Sequence, residues 1–202
     1  MPKTTVNTEI VQEGNPVLRT SAKPVPLSDI GTKKLSDIIA AMNIALEREA
    51  DGVAIAAPQI GLSLRIFIVS KNAFVIDEEQ KERRKAKSAS GTQEEFPTAN
   101  MVVINPEIIK LSKKKIKVPE GCLSVRWLYG NTMRHEKATI RAYDEKGKPF
   151  TYGGSGLMAQ IFQHETDHLN GTLFIDHASD IEKLTAEEIA KAKAEMKSHN
   201  NK

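Results

Sequence analysis

Gln163-His164-Glu165-Thr166-Asp167-His168-Leu169 constrains this chain more than any other stretch, because it sets H-E-x-x-H inside a segment with helical apolar spacing. On a helix, His164 and His168 project from one face, one turn apart, and two imidazoles so placed can bind one metal ion. Glu165, beside the first of them, can then reach a water on that ion as a general base. Leu157 and Ile161 share the face and add an apolar wall, which suits a hydrophobic substrate side chain. Gly154 and Gly156 precede the run, and Asn170-Gly171 closes it as a helix C-terminus should. So short a motif also arises by chance, and an amphipathic helix with packed or exposed histidines is the alternative.

The bounds are those of an ordinary globular chain. With 202 residues, 40% of them hydrophobic, it can bury a substantial core, and one domain over residues 1–202 is expected. The net charge is only +3 and the lysines are not massed beside aromatics, which argues against a specific nucleic-acid site. No apolar run approaches the roughly 18 residues of a membrane span. Met1-Pro2-Lys3-Thr4-Thr5 lacks a signal peptide's apolar core, and Glu9 and Glu13 come early for a transit peptide, so a cytoplasmic protein is expected. A single cysteine, Cys122, excludes an intrachain disulfide and fits a reducing compartment.

The first thirty residues read as extended and turn structure, with Val17-Leu18-Arg19 a short helical turn or strand. Lys33 to Glu49 reads as a packing helix capped by Thr32 or Ser28, with Leu35, Ile38, Ile39, Met42, Ala45 and Leu46 as its apolar stripe. Arg65–Val69 is β-branched and reads as a strand. The charged segment 77–95 lacks apolar periodicity and reads as a solvated insertion loop. Met101–Ile104 reads as a strand ending in a turn at Asn105-Pro106. Ile108-Ile109 and Ile116–Val118 read as a hairpin with Ser112–Lys115 at its tip. Ala138–Tyr143 alternates as a strand turned by Asp144–Gly147, and Thr172–Ile175 reads as a short strand. Thr185 caps a polar C-terminal helix and tail over residues 185–202.

Two further stretches carry chemistry. Gly52-Val53-Ala54-Ile55-Ala56-Ala57-Pro58-Gln59 is dense in small residues, which let a ligand or another backbone approach closely. The Gln59 amide could point into a site and stabilise an oxyanion, or be an ordinary loop glutamine. In Glu120-Gly121-Cys122-Leu123-Ser124, the lone cysteine is either a small buried hydrophobe or a soft third ligand beside the two histidines. A catalytic tetrahedral site uses three protein ligands and leaves one position for water. Gly121 would let the backbone turn tightly there, and the Leu123 N–H could face the open position.

These three stretches, in their order and spacing, resemble the signature motifs of the peptide deformylases, and the similarity covers most of residues 10–180. The resemblance implies an α+β fold: antiparallel or mixed sheets around a central H-E-x-x-H helix, flanked by N- and C-terminal helices. It implies removal of the formyl group from the formyl-methionine of nascent chains. It assigns Cys122, His164 and His168 as ligands of one divalent ion, natively Fe²⁺, with Zn²⁺, Ni²⁺ or Co²⁺ as substitutes. It assigns Glu165 as the acid–base residue and Gln59 and Leu123 as oxyanion donors. On the substrate side it sets Gly52, Val53, Ala54, Glu120, Gly121, Arg134, Leu157 and Ile161. N-formylmethionyl nascent peptides are the implied partners, with transient ribosome contact through the tail and a bacterial-type cytoplasmic location.

Two departures bear on activity. Ala54 stands where the family usually has glycine; a positive φ there would cost of order 1 kcal/mol and suggests, as the alternative, a weakly active or non-catalytic peptide binder. Arg126-Trp127-Leu128-Tyr129-Gly130 replaces a proline-led segment, so Trp127 and Tyr129 either cover the core edge or shape the mouth of the site. A third reading, an H-E-x-x-H metallopeptidase, lacks an evident downstream ligand.

Overall fold

The computed structural model describes residues 6–85 and 97–199. Its strands are β1 (Ala54–Ala56), β2 (Ile66–Val69), β3 (Met101–Leu111), β4 (Lys115–Cys122), β5 (Val125–His135), β6 (Lys137–Tyr143), β7 (Pro149–Ser155) and β8 (Ser179–Lys183). Its helices are α1 (Lys33–Glu47), α2 (Lys71–Lys85), α3 (Leu157–Leu169) and α4 (Ala186–His199). Two antiparallel sheets form, one in the order β1-β2-β3-β6-β7 and the other β4-β5-β8.

The H-E-x-x-H segment is α3, and it runs between the sheets. Met158, Ala159, Phe162 and Leu169 pack with Phe67, Val103 and Ile140 of the larger sheet. On another face, Gln163 docks onto β5. Its Oε1 accepts the His135 N–H at 2.9 Å, and its Nε2 donates to the His135 carbonyl at 2.9 Å. A helix buried on nearly every side has few ways to shift, which fixes the groups it carries. α1 packs as its stripe implies, burying Leu35, Ile38, Met42, Ala45 and Leu46 against Ile55, Ile66 and Ile68, and Thr32 caps it. Thr185 and Glu188 form a reciprocal capping pair at the start of α4.

Four local expectations are overturned. Ile108-Ile109 and Ile116–Val118 are not a hairpin, because β3 pairs with β6 and β4 with β5. The lysine-rich Ser112–Lys114 link instead crosses between sheets beside the β5–β6 link, with Ser112 N–H on Lys137 O at 3.0 Å and Glu136 N–H on Lys114 O at 3.0 Å. Asn105-Pro106 does not end the strand. Asn105 takes φ +51 at a bulge, its side chain clasps both backbone groups of Val25 at 2.8 Å, and β3 continues to Leu111.

The segment 77–95 is not a loop from its start, since α2 runs to Lys85; the rest, 86–95, lies outside the described residues. Its glutamates, lysines and arginines are good helix formers without an apolar stripe, and Ala73, Phe74 and Asp77 are buried. Thr172–Ile175 is not a strand. The Leu173 N–H binds Asp176 Oδ2 at 2.8 Å, and Phe174–Asp176 closes as a 3-10 turn that buries Phe174. The Val17–Arg19 ambiguity resolves to a 3-10 turn, Pro16–Arg19. Residues 200–202 of the tail also lie outside the described residues. No helix among the described residues is long and apolar enough to cross a membrane.

Candidate active site

α3 brings His164, Glu165 and His168 to the end of β4, where Cys122 stands. One donor atom from each of Cys122, His164 and His168 falls within 4.8 Å of the others, and Cys122 Sγ is 3.1 Å from His168 Nε2. His164 Nδ1 is 3.0 Å from Glu120 Oε2. An N–H donated to that carboxylate fixes the tautomer and leaves His164 Nε2 free as a ligand atom. Burial raises the Cys122 thiol, but the neighbouring His168 and His164 outweigh it and hold the thiol well below its ordinary range. A thiolate with two imidazoles is the donor set of a divalent ion such as Zn²⁺ or Fe²⁺, so the residues fit one.

The groups around the triad are equally specific. Glu165 is buried, and its Oε2 has no hydrogen-bond partner among the described residues. Burial pushes its carboxyl up to about 7, although His164 and His168 pull the other way. Gln59 lies in the 3-10 turn Ala57–Ile60, which Pro58 opens. Its Oε1 accepts the Ala56 N–H at 2.7 Å, so the amide is oriented and Nε2 points towards the triad, 3.5 Å from Cys122 Sγ and 3.3 Å from Ser124 Oγ. The His164 ring stacks on Phe174, centroids 6.3 Å apart, which braces the ligand from behind.

These residues open into a cavity of about 530 Å³. Gly52, Val53 and Ala54 line one side, and Glu120, Gly121, Cys122 and Leu123 another. Leu157, Ile161, His164 and Glu165 form the α3 wall, and Gln59 reaches in beside them. β1 and β4 are each the outermost strand of their sheets, so the cavity lies between two sheet edges. Gly121 lets the Tyr129 ring lie on the backbone there: an added Cβ would meet Tyr129 Cε1 at 2.7 Å and displace the ring.

A family model described as polypeptide deformylase matches residues 7–184. The chain belongs to the polypeptide deformylase family. It is 37% identical over 168 residues to peptide deformylase 1A, chloroplastic, of Solanum lycopersicum, covering 83% of this chain but only 58% of that relative. To peptide deformylase 1 of Pseudomonas syringae pv. tomato it is 36% identical over 166 residues, 82% of this chain and 83% of the relative. A crystal structure of a class I type b peptide deformylase from Acinetobacter baumannii with Met-Ala-Ser bound matches with a TM-score of 0.67 and 29% identity, covering 84% of this chain and 97% of that one. The family is metal-dependent, in keeping with the triad.

Against the deformylase motifs, the surroundings of four residues bear on the expectations. Arg134, expected on the substrate side, does not line the cavity. It is buried, with Nε and Nη2 on Glu120 at 2.6 and 2.9 Å and Nη1 on Asp167 at 2.6 Å. With its charge neutralised by two carboxylates, it ties β5 to β4 and α3. Ala54 lies in β1, and the only non-glycine residues with positive φ among those described are Asn105, Trp127 and Asp180, so Ala54 carries no left-handed strain. Trp127 and Tyr129 line the cavity. Sequence reasoning missed Asp77, whose Oδ1 accepts the Leu157 N–H at 2.9 Å and caps α3. It also missed Phe174; no local signal marks either, since both act across the fold.

Proposed function

We propose that this chain removes the N-formyl group from the formyl-methionine of newly made polypeptides, releasing formate and a free amino terminus. What carries the reading is the convergence of Cys122, His164 and His168 beside Glu165 and Gln59 at a cavity with an apolar wall. A divalent ion held by the triad supplies Lewis-acid chemistry, lowering the pKa of a water and polarising the formyl oxygen. Glu165 takes the proton that the attacking water gives up as its oxygen adds to the formyl carbon. It returns that proton to the amine nitrogen as the C–N bond breaks. Burial favours the proton-bearing form of this carboxyl, which suits a group that carries the proton between the two steps.

Gln59 Nε2 and the Leu123 N–H donate to the formyl oxygen as it gains negative charge; one such donor typically contributes roughly 3–4 kcal/mol to lowering the barrier. The peptide backbone adds as a short strand between the edges of β1 and β4, beside Gly52, Val53, Ala54, Glu120 and Gly121. Leu157 and Ile161 receive the methionine side chain. Arg134 acts on the substrate only indirectly, through Glu120.

Fe²⁺ is the ion we assign, as the family resemblance implies, with Zn²⁺, Ni²⁺ or Co²⁺ acceptable to the same donors. Residues 1–202 then form one catalytic domain, in a bacterial-type cytoplasm that keeps Cys122 reduced. The polar helix α4 is the element for a transient ribosome contact. The alternative of a weakly active peptide binder loses its motive, since Ala54 is unstrained. Formate release from formyl-Met-Ala-Ser, with metal quantified on the same anaerobically purified sample, tests the reading. Rapid release with about one ion per chain is expected. No release from folded, metal-loaded protein would sink it.

A further inference from the structure

The two groups that donate to the formyl oxygen come from separate parts of the chain. Gln59 lies in the 3-10 turn after β1. Leu123 and Ser124 form the tip between β4 and β5, where Cys122 pairs with Val125. One side-chain bond joins the two places directly, from Gln59 Nε2 to Ser124 Oγ at 3.3 Å. The tip of a two-residue hairpin ordinarily leaves its carbonyls to solvent and is free to rock. Here both tip carbonyls are taken by one short segment more than a hundred residues earlier. Gln12 Nε2 donates to Leu123 O at 3.1 Å, and the Glu13 N–H donates to Ser124 O at 2.7 Å. The Val11 N–H donates to Gln59 O at 2.8 Å. Three consecutive residues therefore bridge both donor-bearing turns.

The segment is itself anchored. Ile10 packs on the apolar cluster that contains Ile60 and Leu123, and Val11 on the one that contains Val125, beside Cys122. Gln12 stands exposed between these anchors and the tip, yet its amide is not left to water. The second contact of Nε2 is the Ile10 carbonyl at 3.3 Å, so both of its hydrogens go to backbone oxygens. With Cys122 held in β4 on one side and the Leu123 carbonyl held on the other, the planar peptide units leave the Leu123 N–H little freedom of direction.

Resting on the deformylase reading, we propose that Gln12 is a positioning residue for the reaction: with the backbone of Val11 and Glu13 it clamps the Gln59 turn to the Leu123 tip and so aims the Leu123 N–H at the formyl oxygen. Oxyanion donors act by being in place before charge develops, so a tip that rocks loses transition-state contact while substrate binding, made by the cavity walls, is kept.

Two readouts test this on metal-loaded, full-length protein. Gln12→Met keeps the length of the side chain and removes both of its N–H groups. It should lower kcat for formyl-Met-Ala-Ser by roughly tenfold while KM stays within about twofold of wild type. A bond that only held the fold together would lower the urea midpoint and leave kcat per metal-loaded chain unchanged, and that result overturns the proposal. A loss carried by KM overturns it as well. The second readout needs no turnover. A phosphonamidate analogue of formyl-Met-Ala-Ser sets a tetrahedral anionic group where the formyl carbon reacts. In calorimetric titrations it should bind Gln12→Met roughly tenfold more weakly than wild type, whereas Met-Ala-Ser, which lacks that group, should bind both alike. Equal affinity of the analogue for the two proteins overturns the clamp. If wild-type protein cleaves no formyl-peptide, the deformylase reading fails, and the analogue titration decides the clamp by itself.

Discussion

Glu120 grips His164 by the ring nitrogen that faces away from Cys122: Nδ1 and Oε2 are 3.0 Å apart in a buried setting. The other carboxylate oxygen takes Arg134 Nε at 2.6 Å. Glu120 is thereby kept ionised: burial opposes the charge, but Arg134 and His164 outweigh it and hold the carboxyl far below its ordinary range. Replacing it with glutamine removes the charge that orients the imidazole, and partners of metal-binding histidines are typically worth about 10–100-fold in metal affinity. Glu120→Gln should weaken binding by that order in a chelator competition. Unchanged affinity would mean the contact only packs β4 against α3.

Glu165 and Cys122 stand in the same cavity but should fail differently. Glu165→Ala removes the proton carrier and leaves all three donors, so bound metal should persist while turnover falls by about 10²–10⁴-fold or more. Cys122→Ala removes a donor and should lose the ion on dialysis. Metal analysis beside formate assays checks both; substantial turnover in Glu165→Ala refutes its role.

Asp77 joins α2 to the catalytic helix through the Leu157 N–H. Losing a helix N-cap of this type costs on the order of 1 kcal/mol, and here the orphaned N–H is partly buried. Asp77→Ala should lower the urea midpoint accordingly while the slope stays unchanged. No change in midpoint would show that the first turn of α3 is held by packing alone.

Arg19 and Asp176 clasp the Pro16–Arg19 turn to the segment behind His164, at 2.5 Å. Burial raises the Asp176 carboxyl, but Arg19 and the Leu173 N–H outweigh it, so the folded value lies below the ordinary one. A depressed carboxyl contributes stability that is complete above the unfolded value of about 3.9 and is lost as pH falls through the folded value. Wild type should therefore exceed Asp176→Asn in urea midpoint at pH 6, with the gap narrowing below about pH 4. A gap independent of pH would remove the ionic contribution.

Features governed within one or two turns of chain were legible from residues alone. The spacing of Leu157, Ile161, His164 and His168 specified α3 and its chemical face, and Thr32 and Thr185 marked helix starts. Cys122, the only thiol the chain has, was legible as a candidate third donor, and the structure brings it within reach of both histidines. Where reasoning failed, a local pattern was compatible with two partners. The apolar pairs flanking Ser112–Lys115 suit a hairpin or a sheet crossing equally well, and only the competition of β6 for β3 and β5 for β4 decides. The charged run after Asp77 suits a loop or a helix, and the burial of Ala73, Phe74 and Asp77 in the turns that precede it, with Asp77 bonded to α3, decides.

By itself, then, the sequence determined the central helix and its histidine-bearing face, since these follow from short-range periodicity, while the proposed metal donors and acid–base residue came from the resemblance of three motifs to the deformylases. Only the tertiary structure decided that Arg134 turns inward to Glu120 and Asp167, that Asp77 caps α3, that Phe174 backs His164, and that Trp127 and Tyr129 face the cavity. Each depends on which surfaces meet once two sheets close around a helix. A side chain's direction across that closure is set by partners distant in sequence, and no local propensity encodes them.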